Sequence, residues 1–135
     1  MTTTYAHFIA SDRGNIISSE NIVSNSTFLS TEVDNSIFKD THCEFVCDVI
    51  ASVTPTLSPF MTFSIIYDLG TGYETPDAVP VLFSIPIDSV AKRIVIKNIF
   101  ILPYKFKLAA INTSNQACTV TVRVFTRRMA LESVE

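Results

Sequence analysis

Apolar and polar residues alternate over two stretches near the C-terminus of the chain. In residues 104–111 the apolar positions are separated by Lys105 and Lys107, and in residues 118–125 they are separated by threonines and Arg123. A period of two residues is typical of β-strands that bury one face. The pattern therefore predicts two half-buried strands. When two residues from earlier strands are included, the side chains expected inside the protein are Phe45, Phe63, Phe106, Leu108, Val120 and Val122.

The polar residues 112–116 separate these two strands by a length that is typical of antiparallel neighbours. A hairpin closed by this loop would place the apolar side chains of both strands on one face. It would also place Lys105 opposite Arg123 on the outer face, where directly opposed like charges destabilise a sheet. We therefore predict a β-hairpin whose basic outer face, which includes Lys107, contacts acidic groups.

Further alternating segments predict strands along most of the chain. Residues 42–53 indicate a central strand, residues 61–67 indicate another, and residues 79–85 indicate an edge strand because Pro80 and Pro86 cannot donate to a ladder. The strands recur about every 10 residues and turns separate them, a pattern typical of all-β folds. The prediction is an antiparallel β-sandwich, jelly-roll or Ig-like, with seven to nine strands and an extended N-terminal arm.

The first part of the chain differs in composition from the rest. Residues 1–36 are rich in Ser, Thr and Asn, with isolated apolar pairs such as Phe28 and Leu29. Residues 5–9 predict a short strand, and the spacing after them favours an N-terminal arm or edge strands that lie on another surface. We expect residues 37–128 to form the sandwich core and residues 129–135 to form a C-terminal tail.

The chain is long enough for one domain and more hydrophobic than a monomer requires. It has 135 residues, 47% of them hydrophobic, and a mean hydropathy of +0.34. No apolar run approaches the roughly 18 residues that a membrane helix needs, so we expect no membrane association. The surplus of hydrophobic residues favours a surface that contacts a partner, either in a homo-oligomer or on another protein. Because the N-terminus lacks a signal-peptide pattern, we expect synthesis in a cytoplasm.

The net charge of −3 conceals an asymmetry along the chain. Residues 1–90 contain two basic and eleven acidic residues, whereas residues 91–135 contain eight basic and two acidic residues. The simpler interpretation is pairing inside the domain, and the alternative is contact with a neighbouring subunit. Nucleic acid is disfavoured because the protein is acidic overall and no aromatic platform is interleaved with the bases. The candidate interface residues are Lys105, Lys107, Arg123, Arg127, Arg128, Phe28 and Leu29.

The sequence contains no recognisable catalytic set. The only histidines, His7 and His42, lie outside any nucleophile motif, so we predict neither an enzyme nor a cofactor. We also predict no metal site, since His42 and its neighbour Cys43 would face opposite sides of a strand. Cys43 and Cys47 lie about 13 Å apart on one strand and cannot bridge each other. Either could reach Cys118 across a sandwich, but we expect three reduced, buried thiols.

Residues 93–96, 101–108 and 112–114 together resemble the C-terminal part of small phage virion proteins. In that family an apolar-Pro-x-x-Phe-Lys strand leads to an Asn-Thr turn and a closing strand. The resemblance implies a β-sandwich accessory subunit that decorates capsids or joins virion parts and has no enzymatic activity. Here residues 112–115 stand where the family has glycine in the turn.

These observations predict a virion structural protein, a capsid-associated decoration or auxiliary subunit of a bacteriophage that acts by protein–protein assembly. It would be made in the host cytoplasm and located in the virion, with other virion subunits or further copies of itself as partners. The alternative is a non-catalytic ligand-binding β-sandwich, for example for carbohydrate. A binding module should show a cleft with exposed Tyr side chains, whereas a virion subunit should show large apolar contact surfaces.

Overall fold

The computed structural model describes residues 2–134, with only the backbone described at positions 132 and 134. Within these residues, nine strands form two antiparallel sheets. The strands are β1 Thr3–Ile22, β2 Ser26–Leu29, β3 Val33–Asp34, β4 His42–Ile50, β5 Phe60–Asp68, β6 Phe83–Pro86, β7 Arg93–Phe100, β8 Lys105–Asn112 and β9 Cys118–Val134. One 3-10 turn spans Pro76–Ala78. The predicted all-β class is confirmed.

The order of the strands identifies the sandwich as a jelly roll. One sheet, which we call sheet A, has the order β1-β9-β4-β7, and the other, sheet B, has the order β2-β8-β5-β6 with β3 also paired to β8. The chain passes from one sheet to the other after β1, β3, β4, β6, β7 and β8, so that strands distant in sequence become neighbours. Of the two predicted topologies, the strand order therefore favours the jelly roll over the Ig-like one.

The core lies between the sheets and follows the predicted alternation. Phe83 on β6 connects its two halves, since its ring centroid lies 4.8 Å from that of Phe63 and 5.6 Å from that of Phe45. Aromatic pairs at these separations add to the stability gained from burial. All six side chains predicted to be inside are 0% exposed, which confirms the predicted inward faces of β4, β5, β8 and β9: Phe45, Phe63, Phe106, Leu108, Val120 and Val122.

The predicted hairpin between β8 and β9 is wrong. β8 pairs with β2, β3 and β5 in sheet B, whereas β9 pairs with β1 and β4 in sheet A. Sheets in a sandwich pack about 10 Å apart, a distance that a loop of about five residues can span. The loop after β8 therefore carries the chain from one sheet to the other.

The side chain of Asn112 organises this crossing. It is fully buried, and its Nδ2 donates hydrogen bonds to the carbonyl oxygens of Ile22, at 2.9 Å, and Gln116, at 2.8 Å. Its Oδ1 accepts a hydrogen bond from the Ser114 backbone N–H at 3.0 Å. These contacts replace the turn hydrogen bonds that a hairpin would make.

The three cysteines are free and buried, as predicted. All three lie in sheet A, which corrects the expectation that Cys118 could be reached across the sandwich. Cys47 lies opposite Val122, four residues along β9 from Cys118, so about 13 Å separate the two positions. Burial also raises the pKa of Cys43 and Cys47 to about 12.

β1 is much longer than the short strand indicated by residues 5–9. Its second half contains three shifts of register against β9 between Asp12 and Glu20, with Ser19 at φ 47°. Such bulges interrupt the period of two residues, so the sequence pattern shows little of this strand. Ile16 and Ile17 are nevertheless buried in the core.

Candidate assembly surface

β1 and β9 continue to pair beyond the last strand that β4 contributes to sheet A. β4 pairs with β9 only as far as Arg127, which lies opposite His42. Within the described residues, 3–9 and 128–134 then pair only with each other. They form a two-stranded segment about 23 Å long at about 3.3 Å per residue. We call residues 3–9 and 128–134 the terminal ribbon.

The outer face of the terminal ribbon is apolar and exposed to solvent. Phe8 lies opposite Met129 and Ala6 lies opposite Leu131. The side chains of Phe8, Met129 and Leu131 are 60%, 59% and 76% exposed. Adjacent exposed apolar side chains of this size mark contact surfaces in soluble proteins. We call Ala6, Phe8, Met129 and Leu131 the ribbon patch.

A further aromatic residue of sheet A extends the apolar surface beyond the ribbon patch. Phe100 on β7 is 64% exposed and lies opposite His42, whose ring it contacts edge-on at 6.0 Å between centroids. His42 in turn lies opposite Arg127, and the Arg127 guanidinium lies 5.6 Å from the centre of the Phe8 ring. The outer face of sheet A is therefore rich in aromatic side chains at this end.

A buried ionic cluster holds the base of the terminal ribbon. Asp40, 2% exposed, accepts a hydrogen bond from Thr126 Oγ1 at 2.5 Å and pairs with Arg13 Nη2 at 3.5 Å and Arg128 Nη1 at 3.4 Å. Both guanidinium groups also lie over the ring of Phe38. Because Arg13 belongs to β1 and Arg128 to β9, the cluster joins both strands to the loop before β4.

The predicted basic strip is divided between the two sides of the molecule. Lys105 and Lys107 lie on β8 and project from the outer face of sheet B, while Arg123 projects from the outer face of sheet A. The expected opposition of Lys105 and Arg123 is therefore wrong, because it depended on the hairpin. No strand-to-strand repulsion between them has to be compensated by a partner.

The candidate cations instead have partners within the chain. Arg123 forms an ion pair and hydrogen bonds with Asp12, and these hold the pKa of that carboxyl below its usual value. The other contacts are Arg127 with Glu44 at 2.5 Å, Arg128 with Asp40, Lys105 with Glu32 at 4.0 Å, and Lys107 over the ring of Tyr73 at 4.6 Å. Acidic residues of the first 90 positions thus neutralise basic residues of the last 45, as the simpler interpretation of the charge asymmetry predicted.

The two apolar candidates lie on β2, at the edge of sheet B. Phe28 packs against the hydrophobic core, while the side chain of Leu29 is exposed. Phe28 is therefore needed mainly for the fold, and Leu29 remains accessible to a partner.

The sequence pattern did not single out the residues of the ribbon patch. Ala6 and Phe8 alternate with polar or less exposed positions, as do Met129 and Leu131, but each run is short. Their importance depends on pairing between residues at opposite ends of the chain, Phe8 with Met129. A single sequence offers no local signal for a contact of that separation.

Two clefts are relevant to the ligand-binding alternative. The first, about 400 Å³, is mainly apolar and includes Tyr67, Val81, Phe100 and Leu102 in its lining. The second, about 390 Å³, is lined by Ser36, Asp68, Leu69, Gly70, Tyr104 and Lys105. Tyr104 is exposed there, which is the feature a sugar-binding module requires.

Chemical groups for other functions are sparse in the part of the chain that is described. His42 Nδ1 lies 2.9 Å from Thr41 Oγ1. Residues 2–134 contain no group of three or more His, Cys, Asp or Glu side chains arranged to hold a metal ion. The same residues include no helix with the length and apolar character needed to cross a membrane.

Comparisons with known proteins give little further information. No protein-family model matches the chain, and no curated protein matches it significantly. A solved structure described as Desmodium yellow mottle tymovirus aligns over 98% of this chain and 91% of that chain, with 10% identity and a TM-score of 0.33. A superposition at this level supports no conclusion about fold or function.

Proposed function

We propose that this chain is a structural subunit of a virion and that it acts by protein–protein assembly rather than by catalysis. The observation that carries the proposal is the ribbon patch, in which Phe8, Met129 and Leu131 lie side by side in solvent. Burying a large apolar side chain stabilises a contact by about 1.5–3 kcal/mol. Covering these side chains with a second protein surface would therefore contribute a substantial, favourable free energy of association.

The electrostatics of the surface favour a protein partner over a nucleic acid. Arg123, Arg127 and Arg128 already contact carboxylates of the same chain. Binding to a phosphate backbone requires cations that can release counterions, and these arginines would first have to leave their partners. Apolar contact is the stronger basis for association.

The assignment to a virion depends on the fold and on the sequence resemblance together. Jelly rolls occur in viral capsid proteins, and also in lectins and cupins, so the fold by itself leaves several functions open. Residues 101–108 and 112–114 resemble small phage virion proteins, and that resemblance favours the first group. A capsid-associated decoration or auxiliary role in a bacteriophage is the specific form of the proposal.

Fractionation of the native source on a density gradient tests the virion assignment. The chain should sediment with a particle of uniform size, and negative-stain images of that fraction should show symmetric copies. Recovery of the chain only at the top of the gradient, as free protein, would contradict the assignment. A salt wash before the gradient serves as a control, since it removes proteins bound only by exposed charges.

The ligand-binding alternative has one specific observation in its favour, the cleft that contains Tyr104 and Asp68. Polar side chains beside an exposed aromatic ring are suited to a sugar. Titration of the protein with a panel of glycans, followed by NMR, would detect shifts of the resonances around Tyr104. Saturable shifts that are absent in Tyr104→Ala, with the ribbon unaffected, would favour this alternative.

A further inference from the structure

Most of the sheet edges in this protein are protected against pairing with another chain. Natural proteins protect exposed edges with short strands, prolines, charged residues and bulges. β2 and β6 have four residues each, and β6 ends at Pro86. β7 carries Arg93 and Lys97 and has a shift of register against β4 near Asn98, whose φ is 57°.

The outer edge of β1 differs between its two halves. The second half has three shifts of register and contains Asp12 and Glu20, so it is protected in the same way. Residues 3–11 pair with β9 without any shift and contain no Lys, Arg, Asp, Glu, Pro or Gly. On the opposite edge of the terminal ribbon, β9 carries Arg128. Within the described chain, residues 3–11 are therefore the longest edge without these protections.

We propose that residues 3–11 pair edge to edge with the same segment of a second copy of this chain, in antiparallel orientation about a two-fold axis. Sheet A would then continue from one copy into the next. This inference rests on the proposed assembly function and names the partner for one of its contacts. A second copy is the occupant because two identical segments without Lys, Arg, Asp or Glu bring none of these charges together.

The two-fold arrangement also explains the position of the ribbon patch. The axis of an antiparallel strand pair is perpendicular to the sheet, so the outer faces of both copies lie on the same side. Phe8 and Met129 of each copy would form one continuous apolar surface across the new strand pair. Such a contact is closed, because each copy uses its single β1 edge, and it would give a dimer rather than a fibre.

Opposite charges at Ala6 provide the test. Ala6 is exposed on the outer face, so a charged side chain there stays solvated in the isolated chain. In a pair centred near the middle of residues 3–11, the two copies of residue 6 lie within about 8 Å of each other. We expect Ala6→Lys alone and Ala6→Asp alone to lose the dimer in sedimentation velocity. An equimolar mixture of the two variants should restore it.

Val95→Lys is the matched control, since Val95 is an exposed residue on β7, the opposite edge strand of sheet A. It should sediment as the unsubstituted chain does. Circular dichroism establishes whether each variant is folded, and restoration by mixing cannot result from damaged folding. If Ala6→Lys does not fold, the test becomes amide hydrogen exchange of the unsubstituted chain. The protection of residues 3–11 should then rise with protein concentration.

The results separate this inference from the proposed function. If Ala6→Lys keeps the full mass, or if mixing does not restore the dimer, or if residues 3–11 exchange equally fast at all concentrations, the edge pairing is wrong. The assembly proposal survives those results as long as the unsubstituted chain associates. A chain that stays monomeric and binds no particle would overturn both.

Discussion

Asp40 is a buried carboxylate that joins three segments of the chain. Its oxygens contact Arg13 of β1 and both Thr126 and Arg128 of β9, while its backbone N–H donates to Asn35 Oδ1 at 2.9 Å. Burial of a charge is costly unless partners surround it, and here two guanidinium groups and a hydroxyl do so. The cluster positions the strands where the terminal ribbon begins.

Removing this carboxylate should destabilise the fold strongly. Asp40→Ala leaves Arg13 without its charged partner in a site where the arginine side chain is only 17% exposed. We expect a loss of about 3–5 kcal/mol in the free energy of unfolding, measured by urea denaturation. Asp48→Ala is the control, because its pair with Arg93 is exposed and should contribute less than about 1 kcal/mol. Equal losses for the two variants would contradict the structural role of Asp40.

The cysteine thiols should be unreactive in the native protein. Desolvation raises the pKa of Cys43 and Cys47 to about 12 and that of Cys118 to about 11, so few thiolates exist at neutral pH. Alkylation should label none of the three in the folded chain and all three after unfolding without a reductant. A single label in the unfolded chain would indicate a disulfide instead.

The raised pKa of the Cys47 thiol makes the stability of the fold depend on pH in the alkaline range. The folded pKa of Cys47 lies above the ordinary value of 9.0, so its contribution is complete below about pH 9 and is lost as the pH rises towards about 12. At pH 10 the loss is on the order of 1 kcal/mol for this thiol. Cys47→Val should therefore show a shallower fall in unfolding free energy between about pH 9 and pH 10. Parallel curves for the two proteins would contradict the shift.

At the scale of the strands, the sequence predicts inward faces better than partners. Alternation in β8 and β9 correctly places Phe106 and Val122 in the core. It cannot decide which sheet each strand joins, since a strand with one buried face shows the same pattern in either sheet. The loop that begins after Asn112 has a length that suits a hairpin and a crossing equally well.

We expect the side chain of Asn112 to stabilise this crossing between the sheets. Asn112→Ala removes the buried side-chain donor to the carbonyl oxygen of Ile22, and it leaves the carbonyl oxygen of Gln116 with only the Ser114 hydroxyl as a side-chain donor. We expect a loss of about 1–3 kcal/mol for each carbonyl that water cannot reach, measured by urea denaturation. Asn115→Ala is the matched control from the same loop, since its side chain contacts Thr56 at an exposed position. A smaller loss for Asn112→Ala than for the control would contradict the account.

The terminal ribbon shows a second limit of sequence patterns. Residues 5–9 were expected to form a short strand, and the structure extends that strand to Ile22 through bulges that hide its periodicity. Its partner strand lies at the opposite end of the chain. An N-terminal deletion should therefore remove no more than about the first 10 residues. A longer deletion would approach Ile16 and Ile17, which belong to the core.

For the whole molecule, the high hydropathy and the asymmetry of charge have separate explanations. The acidic and basic parts of the chain pair with each other inside the domain, as with Arg127 and Glu44. The surplus of apolar residues is partly on the surface, with Phe8, Phe100 and Leu131 among the most exposed. Composition could predict both the surplus and the asymmetry, but the fold was needed to locate them.

Association through the ribbon patch should therefore resist salt. Exposed ion pairs are screened over about 10 Å at 0.1 M salt, whereas apolar contacts are not weakened by screening. The most direct measurement is the molar mass of the purified full chain by multi-angle light scattering, over a range of protein concentrations at low and at high salt. The account predicts a multiple of 15.0 kDa that persists as the salt concentration is raised. A mass of 15.0 kDa at every concentration, or an oligomer that dissociates in salt, would contradict it.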